Sequence, residues 1–447
     1  VISKHKLTCS GGLIAYLNYR RVTDIKKGEI NMHAIEKILA KNSGKTVVKT
    51  GEIVTAKVDF AEVNDLYLQT IYSFREMNGK KVWDKDRLAF VFDHYAPAPT
   101  IKSAQIHKEM REFAKQNNLT YHFDVNAGVC HQVMPEAGLI YPGSIVVATD
   151  SHTTTHGAFG AMGTGVGATD MATIMISGEL WFRVPEVIEI RIDGIPEEGV
   201  MPKDVVLYLM GKMRADGAVY KAIDFTGSYV EQLNVAGRMV ICNMAVEMGA
   251  KTAYMQPNKD VLDYVSERAV RPFEIQYTDD DFVYSESYKF DISDLTPQVA
   301  VPSSVDNVFP IDEVEKVKVD QCFVGTCTGG RIEDIKTAAN ILRGKHIAGD
   351  VRLIVIPAST EVMKECIAEG YLQDLIDAGA TISTPGCGPC LSAHEGVLAP
   401  DEVCVTASNR NFPGRMGSNK SRVYLASPAT VAASALTGYL TNPLEIQ

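Results

Sequence analysis

Thr384-Pro385-Gly386-Cys387-Gly388-Pro389-Cys390 places two thiols two residues apart, close enough to reach one metal centre. The glycine and proline between them force a turn that exposes backbone N–H groups to the sulfurs. Further upstream, Gly325-Thr326-Cys327-Thr328-Gly329-Gly330 offers a third thiol. It follows an expected strand, Val317–Phe323, at the end where ligands bind in α/β sheets. Three chemistries fit these thiols. Cys-Gly-Pro-Cys alone is the tetrapeptide of thiol oxidoreductases, but those domains are small and need no third cysteine. A structural zinc ion wants four ligands, with His394 or Cys404 as the fourth. A 4Fe–4S cluster on three thiolates leaves one iron open to act as a Lewis acid, whereas clusters kept for electron transfer normally take four cysteines.

Histidines and carboxylates recur together along the chain. Asp93-His94 follows an expected strand, and His131 lies in Asn126-Ala127-Gly128-Val129-Cys130-His131-Gln132. Next come Asp150-Ser151-His152-Thr153 and Cys242-Asn243-Met244-Ala245-Val246-Glu247. Arg410 and Arg415 close the series within Ser408-Asn409-Arg410-Asn411-Phe412-Pro413-Gly414-Arg415. A carboxylate beside an imidazole fixes its tautomer and favours its charged form. Two arginines at this spacing can clamp carboxylates with planar forks. Taken singly, an Asp-His pair is more often a surface pair, Asp150-Ser151-His152 could be a helix N-cap run, and the arginines could be a solvated loop face.

In this order, from about Met32 to Pro443, the motifs resemble the aconitase superfamily. The resemblance implies a hydro-lyase that dehydrates and rehydrates a 2- or 3-hydroxy diacid. It implies one 4Fe–4S cluster on Cys327, Cys387 and Cys390, with one iron not ligated by cysteine. It further implies that His94, oriented by Asp93, is the acid for the leaving hydroxyl. His131 would pair with Asp150, and His152 with Glu247, around the water. Arg410, Arg415, Ser151 and Asn243 would contact substrate. Aconitases of the family carry a fourth, swivelling domain whose serine takes the carbon-bound proton, and no residue here matches that serine. Ending at Gln447, the chain is similar to the large subunit of the two-chain members, so a small swivel-domain subunit is the expected partner. Two departures stand out. Gly329 follows Cys327-Thr328 where the family usually has Asn, and Asn64 precedes Asp65 where His or Gln is common.

These residues need a scaffold, and the rest of the sequence describes one. The 447 residues are too many for one ordinary core. Hydrophobic residues make up 46% and charged residues 22%, the mix of a globular protein. A net charge of -11 argues against a nucleic-acid binder, including the RNA-binding role some family members take after losing the cluster. No apolar run approaches the roughly 18 residues of a membrane span. Nine cysteines, an odd number in a large chain, suit reduced thiols in a cytoplasmic enzyme. Cys9, Cys130, Cys242, Cys366 and Cys404 are expected to be packing residues.

Short buried strands are expected at Leu88–Phe92, Ser144–Ala148, Val187–Ile192, Val351–Ile356, Thr381–Ser383 and Glu402–Ala407. Helical patterns lie between strands, at Ser103–Gln116, Asp170–Phe182, Lys203–Met213, Glu333–Leu342, Ser359–Glu369 and Leu372–Asp377. That alternation predicts α/β layers with mainly parallel sheets. Three α/β domains are expected, at 32–185, 186–296 and 297–447, with an acidic, Pro/Ser-rich linker over Thr278–Val314. Residues 1–31 are expected to be a leader. An amphipathic pattern opens at Met32, and Lys27-Gly28-Glu29 can be encoded by a purine-rich ribosome-binding run. Gly163-Thr164-Gly165-Val166-Gly167-Ala168 superficially resembles a dinucleotide loop, but its third-glycine spacing is wrong. Its glycines are expected to pack backbone closely beneath Asp150–His152.

Overall fold

The computed structural model describes residues 31–446. The expected leader, apart from Asn31, and Cys9 lie outside the described residues. The fold is mixed α/β, built on parallel sheets.

The first sheet has five strands in the order Tyr121–Phe123, Leu88–Val91, Phe60–Asn64, Ile145–Ala148, Met162–Gly165. All four pairings are parallel. Its inner strands are buried along their whole length, and Leu88–Val91 and Ile145–Ala148 are purely apolar, as a sheet covered on both faces requires. The chain builds outward from Phe60–Asn64 on one side, then returns to lay Ile145–Ala148 against the other. The loops after these two strands therefore part, and the crevice between them is where α/β sheets bind ligands. Asp65 follows one strand and Asp150 the other.

A seven-stranded sheet repeats the device. Its order is Val308–Pro310, Gln298–Ala300, Arg422–Leu425, Val403–Thr406, Gln321–Val324, Arg352–Val355, Thr381–Ile382. The last five strands are parallel. Here the chain reverses between Gln321–Val324 and Val403–Thr406. Cys327 follows the first of these, and Asn409 and Arg410 follow the second. A third, four-stranded parallel sheet runs Thr252–Tyr254, Ala222–Thr226, Val187–Asp193, Glu286–Asp291.

Two sequence expectations change. The helix expected over Asp170–Phe182 stops at Ser177, where Gly178 takes a left-handed conformation (φ 75°) and donates its N–H to Ile174 O. Beyond it Glu179–Arg183 pairs antiparallel with Ile53–Lys57, with Leu180 and Phe182 turned inward. A glycine stop had switched the period from helix to strand. The linker-like stretch Thr278–Val314 contains three strands. One of them, Glu286–Asp291, alternates half-buried Tyr288 and Phe290 with exposed neighbours, so an acidic edge strand can pass for a linker. Among the described residues no helix is long and apolar enough to cross a membrane.

Candidate active site and cysteine centre

Asp150 is the hub of the histidine cluster. It caps the 3-10 helix Ser151–Phe159, its Oδ1 accepting the His152 N–H at 2.7 Å. The same oxygen lies 2.9 Å from His131 Nε2, and Oδ2 lies 3.5 Å from His94 Nε2. Burial alone would raise this carboxyl, but the hydrogen bonds from His131, His152 and His94 outweigh it and hold Asp150 well below the usual range. The helix can sit this close to its sheet because the neighbouring strand is glycine-rich. A Cβ on Gly163 would meet Thr153 O at 2.1 Å, and one on Gly165 would meet Asp150 O at 2.6 Å.

His94 is fixed on its other side. Its Nδ1 lies 2.6 Å from Asp93 Oδ1, while Asp93 Oδ2 accepts the Cys130 N–H at 2.9 Å. Asp65, from the other arm of the crevice, accepts the backbone N–H groups of His94 at 3.0 Å and Tyr95 at 2.8 Å. Burial would depress the His94 imidazole, but the charges of Asp93 and Cys387, then Asp150 and Asp65, hold it well above 6.5.

His152 Nε2 lies 2.8 Å from Glu247 Oε1. Arg410, after Val403–Thr406, donates Nε to that same oxygen at 2.7 Å and Nη2 to Ser151 Oγ at 3.0 Å. Arg415 holds its guanidinium 3.7 Å from Cys390 Sγ, and its buried Nε has no protein partner.

Cys327, Cys387 and Cys390 are buried, each 6–7% exposed, and lie beside this cluster. The donors around them are arranged for anionic sulfur. Asn243 Nδ2 donates to Cys327 Sγ at 3.1 Å and Asn409 Nδ2 at 3.5 Å, with a further contact between the two amides. Asn243, expected to contact substrate, thus spends its amide on Thr155 and this sulfur. Burial pushes the Cys327 thiol up to about 11 and Cys387 well above 9, so a bound cation is needed to keep them as thiolates at neutral pH. The same burial argues against a redox dithiol, which needs a lowered thiol. Nor do the three sulfurs close on one ion. Among the described residues, the only His/Cys/Asp/Glu group with all ligand atoms within 4.8 Å is Asp93, His94 and Cys387. Of the possible fourth zinc ligands, His394 turns its Nε2 to His94 O at 3.0 Å, and Cys404 sits inside Val403–Thr406 against Val405 O. Three buried, spread sulfurs ringed by N–H donors fit an iron–sulfur cluster better than a zinc ion.

Several functional neighbours escaped the sequence reading. His107 is buried and meets Asp65 Oδ2 at 3.0 Å, and so buttresses the His94 loop. Glu62, mid-strand, is fully buried with neither oxygen hydrogen-bonded. Lys203 reaches into the cysteine loops from another layer. A charged residue inside a buried parallel strand was the one signal that could have singled out Glu62. Gly329 also gains a reason: a Cβ there would meet Ala407 Cβ at 2.3 Å.

The mixed α/β fold and the buried cysteine site are matched by a family: residues 36–438 match the aconitase family (aconitate hydratase), a family of hydro-lyases. The chain belongs to that family. Its relatives are more particular. It is 50% identical over 412 residues to the "3-isopropylmalate dehydratase large subunit 1" of Methanopyrus kandleri, covering 91% of this chain and 98% of that one. It is 48% identical over 419 residues to the "Probable methanogen homoaconitase large subunit" of Methanothermobacter thermautotrophicus, covering 93% and 98%. Against the "3-isopropylmalate dehydratase large subunit 1" of Pyrococcus abyssi it is 46% identical over 421 residues, covering 93% and 100%.

Proposed function

We propose that this chain is the large subunit of a hydro-lyase that removes water from a hydroxy diacid and returns it at the neighbouring carbon, with 3-isopropylmalate as substrate. The observation that carries the reading is Asp150, held by three histidines directly beside three buried cysteines. Cys327, Cys387 and Cys390 would hold one 4Fe–4S cluster, with one iron free of cysteine, which supplies Lewis-acid pull on a hydroxyl and a carboxylate. The protein's own residues do the rest. His94, kept protonated and fixed by Asp93, hands its proton to the leaving hydroxyl. His131 with Asp150, and His152 with Glu247, hold protons around the departing water. Arg410, steadied by Glu247 and Ser151, and Arg415, whose Nε is unpartnered, grip the substrate carboxylates.

The carbon-bound proton needs a base, which a small swivel-domain subunit would bring. The relatives are named as large subunits, in keeping with such a partner. A division into three α/β domains, 32–185, 186–296 and 297–447, is supported by the five-, four- and seven-stranded sheets, whose strands fall one sheet to each range. All eight described cysteines are unpaired, in keeping with a reducing, cytoplasmic setting.

Homoaconitate is the second reading, favoured by the methanogen relative at 48% identity. The test is anaerobic reconstitution with a small swivel-domain subunit of the two-chain relatives, assayed on 3-isopropylmalate, homoaconitate and 2,3-dimethylmalate. Preference for the first is expected. Preference for another diacid moves the substrate, and an iron-loaded pair that turns over none overturns the reading.

A further inference from the structure

Lys203 is a buried ammonium that the proposed mechanism does not use. It stands in the first turn of the helix Pro202–Met213, in the layer of the four-stranded sheet. Pro202 opens that helix and Asp204 caps it through the Met201 N–H, so the backbone that launches the side chain is fixed. From there Nζ crosses into the loops of the seven-stranded sheet. It donates to Ser408 O at 2.8 Å, Ala407 O at 3.2 Å and Thr328 Oγ1 at 3.2 Å. Thr328 is the residue after Cys327, and Ser408 precedes Asn409 and Arg410.

The side chain is 1% exposed. Among the described residues no carboxylate lies within salt-bridge distance of Nζ. A buried charge with only neutral partners is costly. Burial pulls the Lys203 ammonium down to about 8, and only negative charge at Cys327 and Cys390, then at Asp334 and Glu247, holds it up. Three thiolates in one buried pocket face the opposite problem, an excess of negative charge.

We infer that Lys203 is the built-in counter-charge of the three-cysteine site. This rests on the reading of that site as a cluster centre. A fixed positive charge there favours the more negative, reduced state of a bound cluster. Lys203 acts through the site's field and touches no substrate, so it is a positioning residue.

The test uses the two-subunit enzyme, reconstituted anaerobically with ferrous iron and sulfide. The readout is the midpoint potential from an EPR-monitored titration. Lys203→Gln keeps donors for the carbonyls but removes the charge, and Lys203→Met removes both. Both should lower the potential alike, by about a tenfold change in reduced-to-oxidised ratio, or about 59 mV for a one-electron couple. Wild-type values in Lys203→Gln, with only Lys203→Met altered, would make Lys203 a hydrogen-bonding clamp and overturn the inference. If Lys203→Gln does not fold, Lys203→Arg keeps the charge: a wild-type potential in Lys203→Arg supports the inference, and a potential lowered as in Lys203→Met overturns it. Wild-type protein that takes up no iron and shows no visible absorbance would sink the cluster reading instead.

Discussion

Arg410 gives its Nε hydrogen to the same Glu247 oxygen, at 2.7 Å, that His152 Nε2 meets at 2.8 Å. One carboxylate thus orients an imidazole from the loops of the first sheet and a guanidinium from those of the seven-stranded sheet. Burial would raise Glu247, but the His152 hydrogen bond and charge, then Arg410, hold it below 4.5. Glu247→Gln keeps the shape and loses the charge that both partners need. It should cut kcat roughly 10²-fold with an unchanged circular dichroism spectrum. A depressed carboxyl stabilises the fold above its unfolded pKa, and that stabilisation is lost as pH falls through the folded value. The variant should therefore show a shallower loss of stability in acid, read by urea melts of the iron-free chain.

The cysteine centre makes a visible prediction. Anaerobic protein should be brown, with roughly four irons per chain. Cys327→Ser, Cys387→Ser and Cys390→Ser should each abolish the colour, whereas Cys366→Ser, on the helix Thr360–Ala368, should leave it. Stoichiometric zinc without visible absorbance would refute the assignment.

Glu62 is expected to cost stability. Its fully buried side chain has no hydrogen-bond partner, and burial, then Asp93 and Asp150, push it well above 4.5. A carboxyl raised in this way is least costly below its unfolded pKa, and its penalty grows as pH rises toward the folded value. Glu62→Leu should stabilise the iron-free chain by about 1–3 kcal/mol at pH 8 and by less at pH 4. Equal urea midpoints for variant and parent at both pH values would contradict this.

Much of this site can be read from residue types and order, because the chemistry demands them: three cysteines, paired histidines and carboxylates, two arginines. Strand and helix placement followed from buried runs, as at Leu88–Val91 and Val403–Thr406. What the sequence hid is spatial. Asp65 and Asp150 stand on opposite arms of one crevice only because the sheet reverses between their strands. Lys203 meets Ser408 across a long stretch of chain, and no local pattern announces such a contact. Sharing is hidden too, since the family resemblance pairs Asp150 with His131 and gives no sign that it also faces His94 and His152.

Arg415 stacks over Phe412, its guanidinium carbon 5.7 Å from the ring centroid, beside Cys390. Its planar fork can grip a carboxylate while staying on the ring, which a point charge cannot do. Arg415→Lys in the two-subunit enzyme should raise KM about tenfold with a smaller fall in kcat. A fall in kcat alone would place Arg415 outside substrate binding.

Asp150 should prove more costly to change than any single histidine it serves. Oδ1 meets His131 Nε2 at 2.9 Å and the His152 N–H at 2.7 Å, and Oδ2 faces His94 Nε2 at 3.5 Å. Asp150→Asn removes the negative charge all three imidazoles share and presents an N–H where one oxygen accepted. The wrong imidazole tautomers follow, a fault worth several powers of ten where a carboxylate orients a catalytic histidine. His131→Gln or His152→Gln removes one partner and leaves the hub intact, so a loss of roughly 10²-fold is expected from each. Residues that act as a unit are not additive. Asp150→Asn combined with His131→Gln should therefore be little slower than Asp150→Asn alone. Losses that multiply in the double variant would show that His131 works independently of Asp150 and would break the hub into separate pairs.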